Sequence, residues 1–303
     1  EVEALADEVR SDPLGNLIVL KKGEGEGKAV MLSAHMDEIG VIVSYVDGKG
    51  FLRFQLIGGV DPSRLIGERV QFADGAIGVI SAEDRSEFRK KPDLAKLYLD
   101  IGAASSEEAK ERLGQAASFV RPFADLGKRV VAKAFDDRIS CAILVETLRQ
   151  MPRSAHDVYF VFSVQEEVGL RGARTSAFGV EPDVGIAVDV TMAADTPEAA
   201  KMAMKLGDGP CIKVMDSGML AHPGLKNLLI ETAEAQDIPY QLEVLDRGTT
   251  DAAAIQLARG GVPAGCVSIA CRYIHTPSEM VDMDDVENAV KLLCALLSGP
   301  IEI

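Results

Sequence analysis

Side chains of metal-binding and acid–base type recur in this chain wherever an apolar run ends. The run Val158-Tyr159-Phe160-Val161-Phe162-Ser163-Val164 leads into Gln165-Glu166-Glu167-Val168. A Glu-Glu pair taken alone reads as two solvated acids opening a loop. Here the same arrangement repeats. Ala29-Val30-Met31-Leu32-Ser33-Ala34 leads into His35-Met36-Asp37, Val184-Gly185-Ile186-Ala187-Val188 into Asp189, and Cys266-Val267-Ser268-Ile269-Ala270 is soon followed by His275. Asp136-Asp137 precedes a helical pattern carried by Ile139, Ile143, Leu144 and Leu148. A strand in an open α/β sheet delivers its last residues to the crevice where ligands bind. Parallel pairing of these runs would therefore gather the histidines and carboxylates along one sheet edge. Imidazole nitrogen and carboxylate oxygen are the usual ligands of catalytic zinc, so the set suits a pair of divalent ions.

The elements that must position these residues follow from the texture of the chain. After His35-Met36-Asp37 come short β-prone runs broken by turn signals such as Asp47-Gly48-Lys49-Gly50, Gly58-Gly59, Asp61-Pro62 and Ala73-Asp74-Gly75. This predicts a small β-rich domain with one short helix over Ser106 to Leu113, closing near Phe119 to Pro122. From Val130 onward strand and helix patterns alternate. The last helix has an acidic capping box of Asp284 and Glu287, an apolar stripe of Val286, Val290, Leu293 and Leu297, and a stop at Gly299-Pro300. The predicted fold is α/β: an α/β/α sandwich with a mixed, mainly parallel central sheet, formed by residues 1–37 and 121–303. A β-rich domain, 38–120, is inserted into it.

Composition limits the function classes. A chain of 303 residues with 47% hydrophobic and 26% charged side chains is an ordinary globular protein, longer than one usual domain. No apolar stretch approaches the roughly 20 residues that span a bilayer. The net charge of -15 argues against nucleic acid and against anionic membrane surfaces, both of which demand a basic face. Five cysteines without C-x-x-C spacing read as buried thiols of a cytoplasmic protein, not as a disulfide framework. The chain has no initiator Met and no charged-then-apolar leader, so its start reads as trimmed. His156 reads as surface, the basic cluster Arg85, Arg89, Lys90 and Lys91 as a solvated loop, and His222-Pro223 as a loop.

Read in order, the segments SAHMDEIG, KAFDDRIS, VQEEVGLRGA, AVDVT and RYIHTPSEMVD resemble the signature stretches of the tetrahedral, or TET, aminopeptidases. These are cytosolic metallo-aminopeptidases, some of them labelled endoglucanases. The resemblance covers nearly the whole chain, including LYLDIGA in the insertion. It implies an α/β catalytic domain, a small β-domain used for dimerisation, and dimers assembled into a hollow tetrahedral homododecamer. It also implies two divalent metal ions per chain, zinc, cobalt or manganese, and peptide substrates with a free N-terminus. Carried over residue by residue, it makes Asp136 the bridging ligand, followed by a cis peptide bond. His35 and Asp189 then complete one metal site, and Glu167 and His275 the other. Asp37 orients His35, and Glu166 is the general base. Spacing alone does not choose between Asp136 and Asp137.

The loop Asp246-Arg247-Gly248-Thr249-Thr250-Asp251 matches a Gly- and Thr-containing loop that borders substrate in the family. Thr249, Thr250 and Asp251 are accordingly candidate substrate contacts, with an ordinary helix start as the competing reading. Arg247 replaces an expected glycine there. The family also carries a helical segment ahead of EVRSDPLGNLIVLKKG that this chain begins too late to include, so impaired assembly or activity is an expectation. Two further functions compete. A glycoside hydrolase needs only paired carboxylates, but it leaves His35, Asp189 and His275 idle, and aromatic residues are 5% with no Trp. A silent metal-binding shell protein has no use for Glu166.

Overall fold

The computed structural model describes residues 1–303 in full. The chain forms two compact units, one of residues 1–37, 124–274 and 279–303, the other of residues 38–123 and 275–278.

The larger unit starts with the hairpin β1 (Glu8–Ser11) and β2 (Leu17–Lys21), then β3 (Ala29–His35). The smaller unit follows as β4 (Gly40–Val46), β5 (Leu52–Ile57), β6 (Arg69–Phe72), β7 (Ile77–Ala82), helix α1 (Arg85–Lys90), β8 (Leu97–Asp100), helix α2 (Ser106–Ala109) and β9 (Ala116–Phe119). Its strands close in the order β4-β5-β8-β7-β6-β9, with β9 returning to β4. Buried Val41, Phe54, Val70, Phe72, Ile80 and Leu99 fill the barrel. Closure removes the open edges that a small β-domain would otherwise need a partner to cover.

The basic cluster is not a loop. Asp84 caps α1 by accepting from the Ser86 and Glu87 amides, and Phe88 is buried beneath it. One buried apolar residue and a good cap outweigh the charge run that dominates the sequence pattern there.

The chain then completes the larger unit. Strands β10 (Ala124–Asp125) and β11 (Arg129–Ala132) precede α3 (Phe135–Gln150), β12 (Asp157–Ser163), α4 (Arg171–Val180) and β13 (Val184–Met192). After them come β14 (Cys211–Met215), α5 (Pro223–Ala235), β15 (Gln241–Val244), α6 (Asp251–Gln256), β16 (Ala264–Arg272), β17 (Glu279–Asp282) and α7 (Met283–Ser298). The sheet runs β1-β2-β12-β3-β13-β16-β17-β11-β10, with β14 and β15 branching from β16.

Its middle four strands, β12-β3-β13-β16, are parallel, and antiparallel strands flank them on both sides. These middle strands are the apolar runs of the sequence, buried on both faces as a helix-covered parallel sheet requires. One face carries Val30, Leu32, Phe160, Ile143 and Leu293 in a common core; the other packs Met31, Val161 and Ala187 against the small residues of α4 and α6.

Two local readings are corrected. The α7 cap is Asp282, which accepts from the Asp284 amide at 3.1 Å, two residues ahead of the expected box. His156 is buried at 5% exposure: its Nδ1 accepts from the Lys28 amide at 2.9 Å and its Nε2 donates to the Gly299 carbonyl at 3.0 Å. Two long-range backbone partners repay its burial, and they are invisible in sequence. His222 immediately precedes α5, as a loop residue. All five cysteines are free thiols. No helix is long and apolar enough to cross a membrane.

Candidate metal centre

His35 is the last residue of β3, Asp189 lies within β13, and Glu166 and Glu167 follow β12 by three and four residues. In the parallel register Ser163 stands opposite His35, so the turn after β12 rises next to the imidazole. Gln165 occupies the left-handed region at φ 58°, where the chain turns. Asn16, fully buried, fixes that turn from below. Its Oδ1 accepts from the Val164 amide at 3.0 Å, and its Nδ2 donates to the Gly172 carbonyl at 3.0 Å. Gly172 must be glycine here, since a Cβ would lie 2.4 Å from the Val164 carbonyl oxygen.

The two acids at the start of α3 divide their work. Asp136 Oδ1 lies 3.1 Å from His35 Nε2, whereas Asp137 Oδ2 accepts the backbone N–H of His35 at 3.1 Å. Asp136 thus faces the ring of His35, and Asp137 holds the strand end. Both residues depart from helical backbone angles, and the bond between them is cis. The Asp136 amide donates to Glu279 Oε2 at 3.0 Å. Glu279, 1% exposed on β17, was missed in the sequence because an acid inside a short alternating strand carries no signal of its partner.

Asp37 does two things. His35 Nδ1 lies 3.2 Å from the Asp37 carbonyl oxygen and 3.5 Å from its carboxylate Oδ1. The carboxylate also accepts the Glu166 amide at 3.0 Å and the Glu167 amide at 3.2 Å. Burial pushes Asp37 up, but these bonds with His35 and the two amides outweigh it and hold the carboxyl below its ordinary range. An acceptor at Nδ1 leaves Nε2 as the nitrogen for a ligand, the arrangement that orients metal-binding histidines.

Two groups of ligand atoms lie within 4.8 Å of one another: His35 with Asp136 and Glu167, and His35 with Glu166 and Asp189. Donors about 2.0–2.1 Å from a tetrahedral ion stand about 3.3 Å apart. The 3.1 Å from His35 Nε2 to Asp136 Oδ1 is close to that value. The charge balance also fits a cation. Burial drives Glu166 up to about 9, against the opposing pull of His35 and with Asp189 adding to the rise. Burial likewise drives Asp189 up to about 8, with Asp136 adding to it. Several buried carboxylates around one imidazole are short of positive charge, and divalent ions would supply it.

His275 clusters with the smaller unit, at φ 57°, with Nδ1 3.0 Å from the Gly59 carbonyl oxygen. It belongs to neither of the two ligand groups that share His35.

The candidate substrate contacts separate. Thr249 is half-buried, with Oγ1 3.1 Å from Asp216 Oδ1. Thr250 and Asp251 are each 2% exposed: Thr250 caps α6, and Asp251 Oδ2 accepts from two serine hydroxyls. Both belong to a buried helix start, Thr250 as its cap and Asp251 as its first residue. Arg247 is exposed.

The family profile described as M42 glutamyl aminopeptidase matches residues 15–292, nearly the whole of both units. The chain belongs to the M42 aminopeptidase family. It is 41% identical over 307 residues to a lysyl aminopeptidase of Pyrococcus furiosus, covering 97% of this chain and 87% of the relative. A solved aminopeptidase from Desulfurococcus kamchatkensis superposes with a TM-score of 0.94 at 42% identity, over 99% of this chain and 87% of that one. The TET1 peptidase of Pyrococcus horikoshii, which can assemble into a tetrahedron or a large octahedral shell, matches at 33% identity and a TM-score of 0.84, over 96% of this chain and 89% of that one. As an M42 member the chain is a peptide hydrolase of the aminopeptidase type. The carboxylate and histidine cluster described above accords with the divalent metals that membership implies.

Proposed function

We propose that the protein removes the N-terminal residue of peptides with two divalent ions, zinc, cobalt or manganese, held by His35, Asp136, Glu167, Asp189 and His275. The observation that carries this reading is that His35 is shared by two groups of possible ligand atoms, one with Asp136 and Glu167 and one with Glu166 and Asp189, in an M42 chain. Ions bound there supply Lewis acidity to an attacking water and to the scissile carbonyl. The chain supplies the proton traffic. Glu166, on a turn held by Asp37, takes the proton of the attacking water and returns it to the leaving amine. Asp37 also keeps the imidazole of His35 in one orientation. Asp136, which stands with His35 and Glu167 in one of the two groups, would be the carboxylate shared by both ions. A sugar-hydrolase reading needs only two carboxylates and leaves His35 and Asp189 without a task.

The test is hydrolysis of a peptide with a free amino terminus and of the same peptide acetylated, before and after chelation and with Zn²⁺, Co²⁺ or Mn²⁺ added back. Activity on the free peptide alone, lost on chelation and restored by metal, is the expected result. Equal cleavage of the acetylated peptide would remove the aminopeptidase reading.

We further propose that residues 38–120 form the dimerising domain of a catalytic domain made of 1–37 and 121–303, and that dimers assemble into a tetrahedral homododecamer. With the barrel closed, the support is not an open strand edge. It is the exposed apolar side chains of Tyr45, Ile77 and Val79, which are 59%, 41% and 42% accessible, together with the shells formed by the TET1 peptidase. Light scattering should find a twelve-chain species, and monomer alone over a wide concentration range would reject the assembly.

A further inference from the structure

A buried carboxylate outside the ligand set joins two of the strands that position it. Asp251 is the first residue of α6 and is 2% exposed. Ser33 Oγ donates to its Oδ2 at 2.7 Å, and Ser163 Oγ donates to the same oxygen at 2.6 Å. Ser33 lies on β3, two residues before His35 and on the same face of the strand. Ser163 ends β12, directly opposite His35 and three residues before Glu166. One carboxylate oxygen therefore grips neighbouring parallel strands at the level where the imidazole and the acidic turn begin.

The helix is brought close enough for this by a glycine. A Cβ at Gly185 of β13 would lie 2.2 Å from Ile255 Cγ2, so only glycine lets α6 rest on the sheet at that height. The buried side chains of α6 are otherwise Ala252, Ala253, Ala254 and Ile255. Asp251 Oδ1 has no partner. A carboxylate with one unsatisfied oxygen in a layer of alanines stabilises the fold poorly, because desolvation of the charge exceeds what two hydroxyls return. Its retention calls for a task other than packing.

We propose that Asp251 is a positioning residue: by holding Ser33 and Ser163 on one oxygen it fixes β3 and β12 in the alignment that sets His35 against Glu166 and Glu167. The inference rests on the proposed metal-dependent reading of that site. It assigns the Thr250-Asp251 element a place behind the ligands instead of in contact with substrate.

Substitutions separate the grip from the charge. Asp251→Asn keeps a carbonyl oxygen able to accept both hydroxyls, whereas Asp251→Ala removes the acceptor. Asp251→Ala should lower kcat by about 10–100-fold with KM unchanged, and should weaken binding of Zn²⁺ to the metal-free protein by a similar factor, the usual cost of losing a residue that orients a ligand. Asp251→Asn should stay within about threefold of wild type in both readouts, although its buried amide lowers thermal stability. A merely structural Asp251 would move the melting temperature and leave Zn²⁺ affinity and kcat alone; that result overturns the proposal. So does an asparagine variant that falls as far as alanine, since charge and not the grip would then be at work. If Asp251→Ala does not fold, Ser33→Ala and Ser163→Ala, each removing one hydroxyl, decide it: reduced kcat and Zn²⁺ affinity support the grip, wild-type values reject it. Wild-type activity that survives chelation would instead defeat the metal reading itself, an outcome distinct from unchanged values in a metal-dependent enzyme.

Discussion

Glu166→Gln should bind its metal normally and turn over at least about 10²–10⁴-fold more slowly, the range attributable to general acid–base catalysis. Glutamine keeps the length of the side chain and its hydrogen bonding but cannot accept the proton of the attacking water. The backbone amide of residue 166 still reaches Asp37 Oδ1, so the turn and the neighbouring ligand are preserved. Glu167→Gln should behave differently. It removes a charged member of the group formed with His35 and Asp136, and metal content should fall together with rate. Measuring kcat alongside metal content by elemental analysis separates the two variants. Unchanged turnover in Glu166→Gln would remove it as the base.

Asp136→Ala should be the most damaging single ligand change, because it withdraws the proposed shared carboxylate from both ions. Metal content after dialysis should drop from two ions per chain toward none, and activity should fall to the level of the chelated enzyme. Excess Zn²⁺ should not restore it. Asp137→Ala is the informative comparison: it leaves the carboxylate 3.1 Å from His35 Nε2 in place and removes the acceptor for the His35 amide. Its loss should therefore appear mainly in stability. Full two-ion occupancy in Asp136→Ala would sink the assignment.

The sequence made the middle strands legible because each is an unbroken apolar run, and a parallel sheet covered on both faces has no other pattern to show. His35 and the Glu166-Glu167 pair were readable for the same reason, since a polar side chain at or just past the end of such a run has one place to go; Asp189 instead lies three residues inside β13, which runs on to Met192. What stayed hidden depends on partners far away in the chain. Asp136 and Asp137 are the same residue type in adjacent positions, and only the direction of each side chain relative to His35 distinguishes them. The role of Asp251 depends on two serines more than eighty residues distant, and Ser33 and Ser163 look like ordinary small core residues. His156 and Glu279 are polar residues whose burial is repaid by groups remote in sequence. Barrel closure was equally illegible, since β9 pairing with β4 is a long-range event that no local pattern records.

The strand order also constrains how the molecule is made. β3 is synthesised early, yet in the sheet it lies between β12 and β13, both of which emerge long after it. An incomplete chain on the ribosome therefore holds His35 with neither neighbour, and residues 38–123 of the smaller unit pass before the first of them arrives. No short stretch of sequence contains enough of the ligand set to chelate an ion by itself, so the unfolded chain should be a poor competitor for metal. Nearly all of the metal's binding free energy is then available to favour the completed sheet.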